Sequence, residues 1–89
     1  MKTAYVTKQF KKDVRLAQKR RKEISKLKNV MALIVEEHAL AEKHKDHPLS
    51  GSFSDYRECH MEPDWLLIYK LTSSSVYFVR TGTHADLFG

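Results

Sequence analysis

Residues 47–89 bring together His47, His60, His84, Glu58, Asp64, Trp65 and Arg80, each in or beside a short polar break between apolar runs. Imidazoles, carboxylates and a guanidinium are the groups that metal-free RNA cleavage uses. A general base takes the proton of the 2′-hydroxyl, a cation stabilises the crowded phosphate, and a general acid protonates the leaving 5′-oxygen. Arg80 is the sharpest of these signals. It ends the apolar run Val76-Tyr-Phe-Val79, and strand alternation sets it on the face of Val76 and Phe78. A guanidinium at the edge of an apolar face needs a partner. Phosphate is a natural one, with Asp64 or Glu62 as structural alternatives.

Each of the other residues has a plainer use. His47, before Pro48, could be an idle loop histidine. His60 alternates with Glu58 and Glu62, so carboxylates could fix its tautomer or simply form surface cross-strand pairs with it. Asp64 after Pro63 suits a turn, and Trp65 suits either the core or a stacking platform for a base. His84 and Phe88 lie on a short tail that could fray or reach into a groove. His44-x-x-His47 with Cys59-His60 matches no common structural zinc pattern, so neither a metal nor another cofactor is expected.

The chain of 89 residues reads as one domain, 1–89, with a modest core. Sixteen Lys and Arg against eleven Asp and Glu give a net charge of +5. Residues 8–28 hold ten cations, including Lys8, Lys11, Lys12, Arg15, Lys19, Arg20, Arg21 and Lys22, against only Asp13 and Glu23. Such a field draws polyanions, although a solvated helix face would look the same. No apolar run is long enough to span a membrane, the N-terminus lacks a signal-peptide pattern, and Cys59 is alone. A cytoplasmic protein is the expectation.

The elements that must hold these groups follow from periodicity. Residues 2–6 suit a short strand, and Thr7 suits the N-cap of a helix over 8–19 with Phe10, Val14 and Ala17 on one stripe. Lys19-Arg-Arg-Lys22 marks a junction before a second helix over 23–37, which Ala39 and Ala41 could extend. Residues 43–51 form a loop containing His44 and His47. From Phe53 the period becomes two, placing Arg57, Cys59 and Met61 on one face and Glu58, His60 and Glu62 on the other. Pro63-Asp64 turns into a central strand over 65–71, and Thr72–Ser75 turns into another over 76–81. The fold class is α+β: an N-terminal strand and a two-helix hairpin packed on a small, mainly antiparallel sheet.

Larger blocks then become recognisable. Lys45-Asp-His-Pro-Leu49, Tyr56-Arg57, His60, Glu62-Pro-Asp-Trp-Leu66, Ile68-Tyr-Lys70, Arg80-Thr-Gly-Thr-His84 and Leu87-Phe-Gly89 resemble the YafQ branch of the RelE/ParE toxin superfamily, as does Val14-Arg-Leu-Ala-Gln-Lys19. The resemblance runs over nearly the whole chain in matching order. It implies a RelE-like toxin of a type II toxin–antitoxin pair, a ribosome-dependent mRNA interferase that cuts in the A site of the 70S ribosome without a metal. It also implies a cognate antitoxin, and operator DNA bound only by the toxin–antitoxin complex. Carried over residue by residue, the active site falls on His47, His60, Asp64, Arg80 and His84, with Phe88, Trp65, Glu58 and Arg57 around the substrate. The basic residues from Lys8 to Lys22 would face 16S rRNA. The proposed general acid is His84, and the base is His47 or His60 with Asp64 polarising it. The superfamily also contains ParE-like gyrase inhibitors, so a non-catalytic toxin or a plain nucleic-acid module of the same fold is the alternative.

Overall fold

The computed structural model describes residues 1–51 and 54–89; Phe53, where the strand period was expected to begin, lies outside the described residues. The order is β1 (Thr3–Val6), α1 (Lys8–Lys19), α2 (Ile24–Val35), a 3-10 turn (Glu42–His44), β2 (His47–Pro48), β3 (Tyr56–Glu62), β4 (Trp65–Leu71), β5 (Ser75–Gly82) and α3 (His84–Phe88). Thr7 caps α1 as expected. Its Oγ1 accepts from the Phe10 N–H at 2.9 Å and donates to the Val79 carbonyl at 2.8 Å, tying the helix start to the sheet. Arg21 at φ 59° separates the two helices, and Glu37 at φ 63° ends the second. The left-handed turn at Glu37 is why α2 does not continue toward Ala41.

Five strands form one sheet in the order β1-β5-β4-β3-β2. β1 runs parallel to β5, and every other pairing is antiparallel. The central strand β4 is covered on both sides, which explains its unbroken apolar run. Trp65, Leu67 and Tyr69 join Phe10, Leu27, Val30, Ile34, Val76 and Phe78 in the core under the helices. Leu66 and Ile68 are buried on the opposite face, where Leu49, Tyr56, Leu87 and Phe88 gather. His47 is not in a loop: with Pro48 it forms a two-residue edge strand, paired to Glu58. His84 and Phe88 are not on a frayed tail either, because α3 is closed by a capping box between Thr83 and Asp86.

Two bulges move side chains to faces that simple alternation does not give. His60 pairs with Leu66 but Glu62 with Trp65, so Met61 is the extra residue. Glu62 thereby turns to the helix side, away from Glu58 and His60, and binds Lys22 and Lys26 at 3.0 and 3.1 Å. In β5 the partner of Ile68 is Arg80 and that of Tyr69 is Phe78, which leaves Val79 as the bulge. Arg80 therefore stands on the Ile68 face, not on that of Val76 and Phe78.

Candidate active site

Residues Glu58 and His60 project from β3 onto the face away from α1 and α2, and β2 carries His47 beside them. Glu58 is almost buried, and its Oε1 lies 3.0 Å from His60 Nε2 and 3.6 Å from His47 Nε2. One carboxylate oxygen thus faces two imidazoles. The His84 ring stands 5.8 Å from that of His60, centroid to centroid. Asp64 Oδ1 accepts the His84 backbone N–H at 2.8 Å and lies 2.6 Å from its Nδ1. These bonds, the backbone one first, hold the Asp64 carboxyl below the usual aspartate range. They also leave His84 Nε2 turned outward. Asp64 therefore orients His84, not His47 or His60 as the sequence reading had it; the carboxylate serving those two is Glu58.

Arg80 meets neither Asp64 nor Glu62. Its Nε and Nη2 donate to Asp13 at 2.8 and 3.1 Å, and Asp13 also accepts from the Thr81 N–H and from Gln9 Nε2. The Asp13 carboxylate holds the Arg80 pKa up and fixes the plane of the guanidinium. Arg80 also lines a groove of about 270 Å³ together with Tyr56, Ile68 and Phe88. Asp13 lies outside the expected set, yet the sequence marks it as an acid on the apolar stripe of an otherwise basic helix.

The third helix is anchored from two sides. Arg20 donates to both oxygens of Asp86 at 2.6 and 3.2 Å, drawing that carboxyl far below its ordinary range. Gly82 makes the close approach possible, since a Cβ there would lie 2.9 Å from Asp86 Cβ. His84 and Phe88 are placed by this packing.

Several expected roles change. Trp65 is 1% exposed, in the core, with Nε1–H donating to Thr81 Oγ1 at 3.0 Å and Lys22 above its ring. It offers no face to a base. Arg57 is committed to Asp46 by two bonds of 3.3 and 3.1 Å, and Tyr69 donates to the same carboxylate at 2.5 Å. That cluster braces the segment entering His47. Of the basic set, Lys8, Lys11, Lys12, Arg15, Lys19 and Arg21 are exposed without an acidic partner among the described residues, whereas Arg20 and Lys22 hold Asp86 and Glu62. Burial pushes the Cys59 thiol up to about 12, and its side chain is fully enclosed, away from His60. Among the described residues, the side chains grouped closely enough to hold a metal ion are instead His47, Glu58 and His60, with ligand atoms within 4.8 Å of one another.

The chain matches known proteins over nearly its full length. A family description, bacterial toxin of type II toxin–antitoxin system, YafQ, covers residues 2–89. The mRNA interferase toxin YafQ of Escherichia coli K12 is 56% identical over 82 residues, spanning 91% of this chain and 89% of that protein. A chain of the E. coli DinJ–YafQ toxin–antitoxin complex superposes with a TM-score of 0.94 at 52% identity, covering 99% of this chain and 98% of the other. A metal-bound toxin from Helicobacter pylori, 39% identical, superposes at 0.92 over 99% of this chain and all of that one. These likenesses leave one conclusion: the chain belongs to the YafQ family of type II toxin–antitoxin toxins.

Proposed function

We propose that this toxin is an endoribonuclease that cuts mRNA in the ribosomal A site by 2′-hydroxyl attack, without a metal ion. One observation carries the reading: two imidazoles sharing Glu58 face a third that is held by its own carboxylate. Such an arrangement sets two carboxylate-oriented proton-transfer groups opposite each other, as attack and departure at one phosphate require. His60, half-buried and facing His84, or His47 beside it, removes the 2′-hydroxyl proton, with Glu58 stabilising the imidazolium that forms. The 2′-oxygen bonds to phosphorus as the P–O5′ bond breaks. His84 donates its Nε2 proton to the departing oxygen, and Asp64 holds its ring. Arg80, oriented by Asp13, supplies N–H donors to the pentavalent phosphate. Products are a 2′,3′-cyclic phosphate and a 5′-hydroxyl. Phe88, 56% exposed beside Arg80, gives a wall for a neighbouring base.

The exposed cations of α1 and its junction face 16S rRNA in this reading. A cognate antitoxin inhibits the toxin, and operator DNA is bound only by their complex; the relative from the DinJ–YafQ complex supports such a partner. The site of action is the cytoplasm. The test is induced expression in a bacterium with 5′-end mapping of a reporter mRNA, wild type beside His84→Ala. In-frame cuts bearing 5′-hydroxyls, lost in the folded variant, are expected. Growth arrest without cuts, unchanged by the substitution, would instead fit a toxin that acts by binding.

A further inference from the structure

A second and larger cleft opens between α2, the 3-10 turn and β3, holds about 540 Å³ and has His60 in its wall. Its size falls within the range of about 300–1,000 Å³ common for small-molecule sites. The walls differ in character. Val30, Leu33 and Met61 offer apolar surface, while Lys26, Lys43 and Lys45 bring three ammonium groups. Lys26 shares Glu62 with Lys22, but Lys43 and Lys45 have no acidic partner among the described residues. His44 lines the same cleft with Nδ1 2.8 Å from the His60 carbonyl. A carbonyl can only accept, so Nδ1 carries the proton and Nε2 is left for another partner.

Apolar surface beside unpaired cations suits a nucleotide, whose base or ribose takes the first and whose phosphate takes the second. His60 lines this cleft and also belongs to the Glu58 cluster, so the cleft adjoins one of the reacting groups. We infer that it holds a nucleotide adjoining the scissile phosphate, with the RNA backbone phosphates on Lys43 and Lys45. This subsite rests on the nuclease reading and extends it, since neither lysine belongs to the expected catalytic or rRNA-facing set.

The test compares wild type with Lys43→Gln/Lys45→Gln, which removes two charges from exposed positions without touching the core. The probe is a short single-stranded RNA blocked with 2′-O-methyl groups, titrated at several salt concentrations. Two lost phosphate contacts should flatten the slope of log K against log salt by about 1.4, which is about tenfold in affinity at 0.15 M salt. Cutting on programmed ribosomes should weaken chiefly through a raised KM, because the variant loses substrate contacts and no reacting group is altered. Equal affinity and equal slope in both proteins would overturn the subsite. So would unchanged RNA binding with weakened antitoxin binding, which would assign the cleft to a protein partner. If the wild type cuts nothing yet loses RNA affinity in the variant, the cleft stands and the nuclease reading falls.

Discussion

Replacing Trp65 by Phe separates two uses of an indole. As a core residue it is 1% exposed, donates to Thr81 Oγ1, and Thr81 in turn donates to the Leu66 carbonyl at 2.6 Å. Phenylalanine keeps a ring in the slot but gives up the N–H and the outer edge. The lost hydrogen bond is worth about 1 kcal/mol, and the void left by the smaller ring about another 1 kcal/mol. For 89 residues the unfolding entropy is about 0.19 kcal/mol/K, so about 2 kcal/mol lowers Tm by about 10 °C. The assay pairs thermal unfolding by circular dichroism with single-turnover RNA cleavage well below the transition. The rate per folded molecule should stay within about threefold, a barrier change of about 0.6 kcal/mol. A Tm within about 2 °C of wild type together with a rate loss above about 100-fold would refute the reasoning and return the indole to the substrate.

Other parts of the site yield equally direct outcomes. Gly82→Ala puts a Cβ 2.9 Å from Asp86 Cβ, so α3 must shift and cleavage should fall on the order of 100-fold; an unchanged single-turnover rate would show that this contact does not place His84. Arg20→Gln should lower the cleavage rate by releasing Asp86 while leaving the salt dependence of ribosome binding unchanged; a flatter salt slope with an intact rate would put Arg20 on rRNA instead. The lowered pKa of Asp64 means that the anion and its hold on His84 persist from neutrality downward and are lost only as pH falls through that lowered value. Carboxyl NMR should find the Asp64 midpoint below the usual aspartate range and rising in His84→Ala; a midpoint indifferent to the substitution would break the dyad. Added Zn²⁺ should occupy His47, Glu58 and His60 and slow cleavage, with chelator restoring it; stimulation by the metal would replace the acid–base scheme.

What the sequence made legible was local. Thr7, the stripe of α1, the apolar run of β4 and the alternation of Glu58 with His60 all declare themselves within a few residues, and each is found as expected. The resemblance supplied the candidate set, of which His47, His60, Asp64 and His84 converge. Two kinds of information were not local. The partner of Arg80 is Asp13, on a different element and far off in sequence; Asp13 stands out as an acid on a basic helix, but nothing near it points to Arg80. The bulges at Met61 and Val79 carry no glycine to mark them, so alternation misassigned the faces of Glu62 and Arg80. By contrast, α3 is legible: Thr83-x-x-Asp86 is a capping pattern, and it outweighs the tendency of a chain end to fray.

The parallel pairing of β1 with β5 has a consequence for how the protein comes into being. Thr3 lies opposite Ser75, so the first strand to leave a translating ribosome has its hydrogen-bonding partner among the later ones. Chains emerge N-terminus first, and a pairing between such distant segments closes late. Arg80 arrives with β5, and His84 only after it. A nascent chain therefore has neither a closed sheet nor its proposed general acid. Under the proposed function, cleavage thus waits until β5 has paired with β1 and α3 has folded behind it.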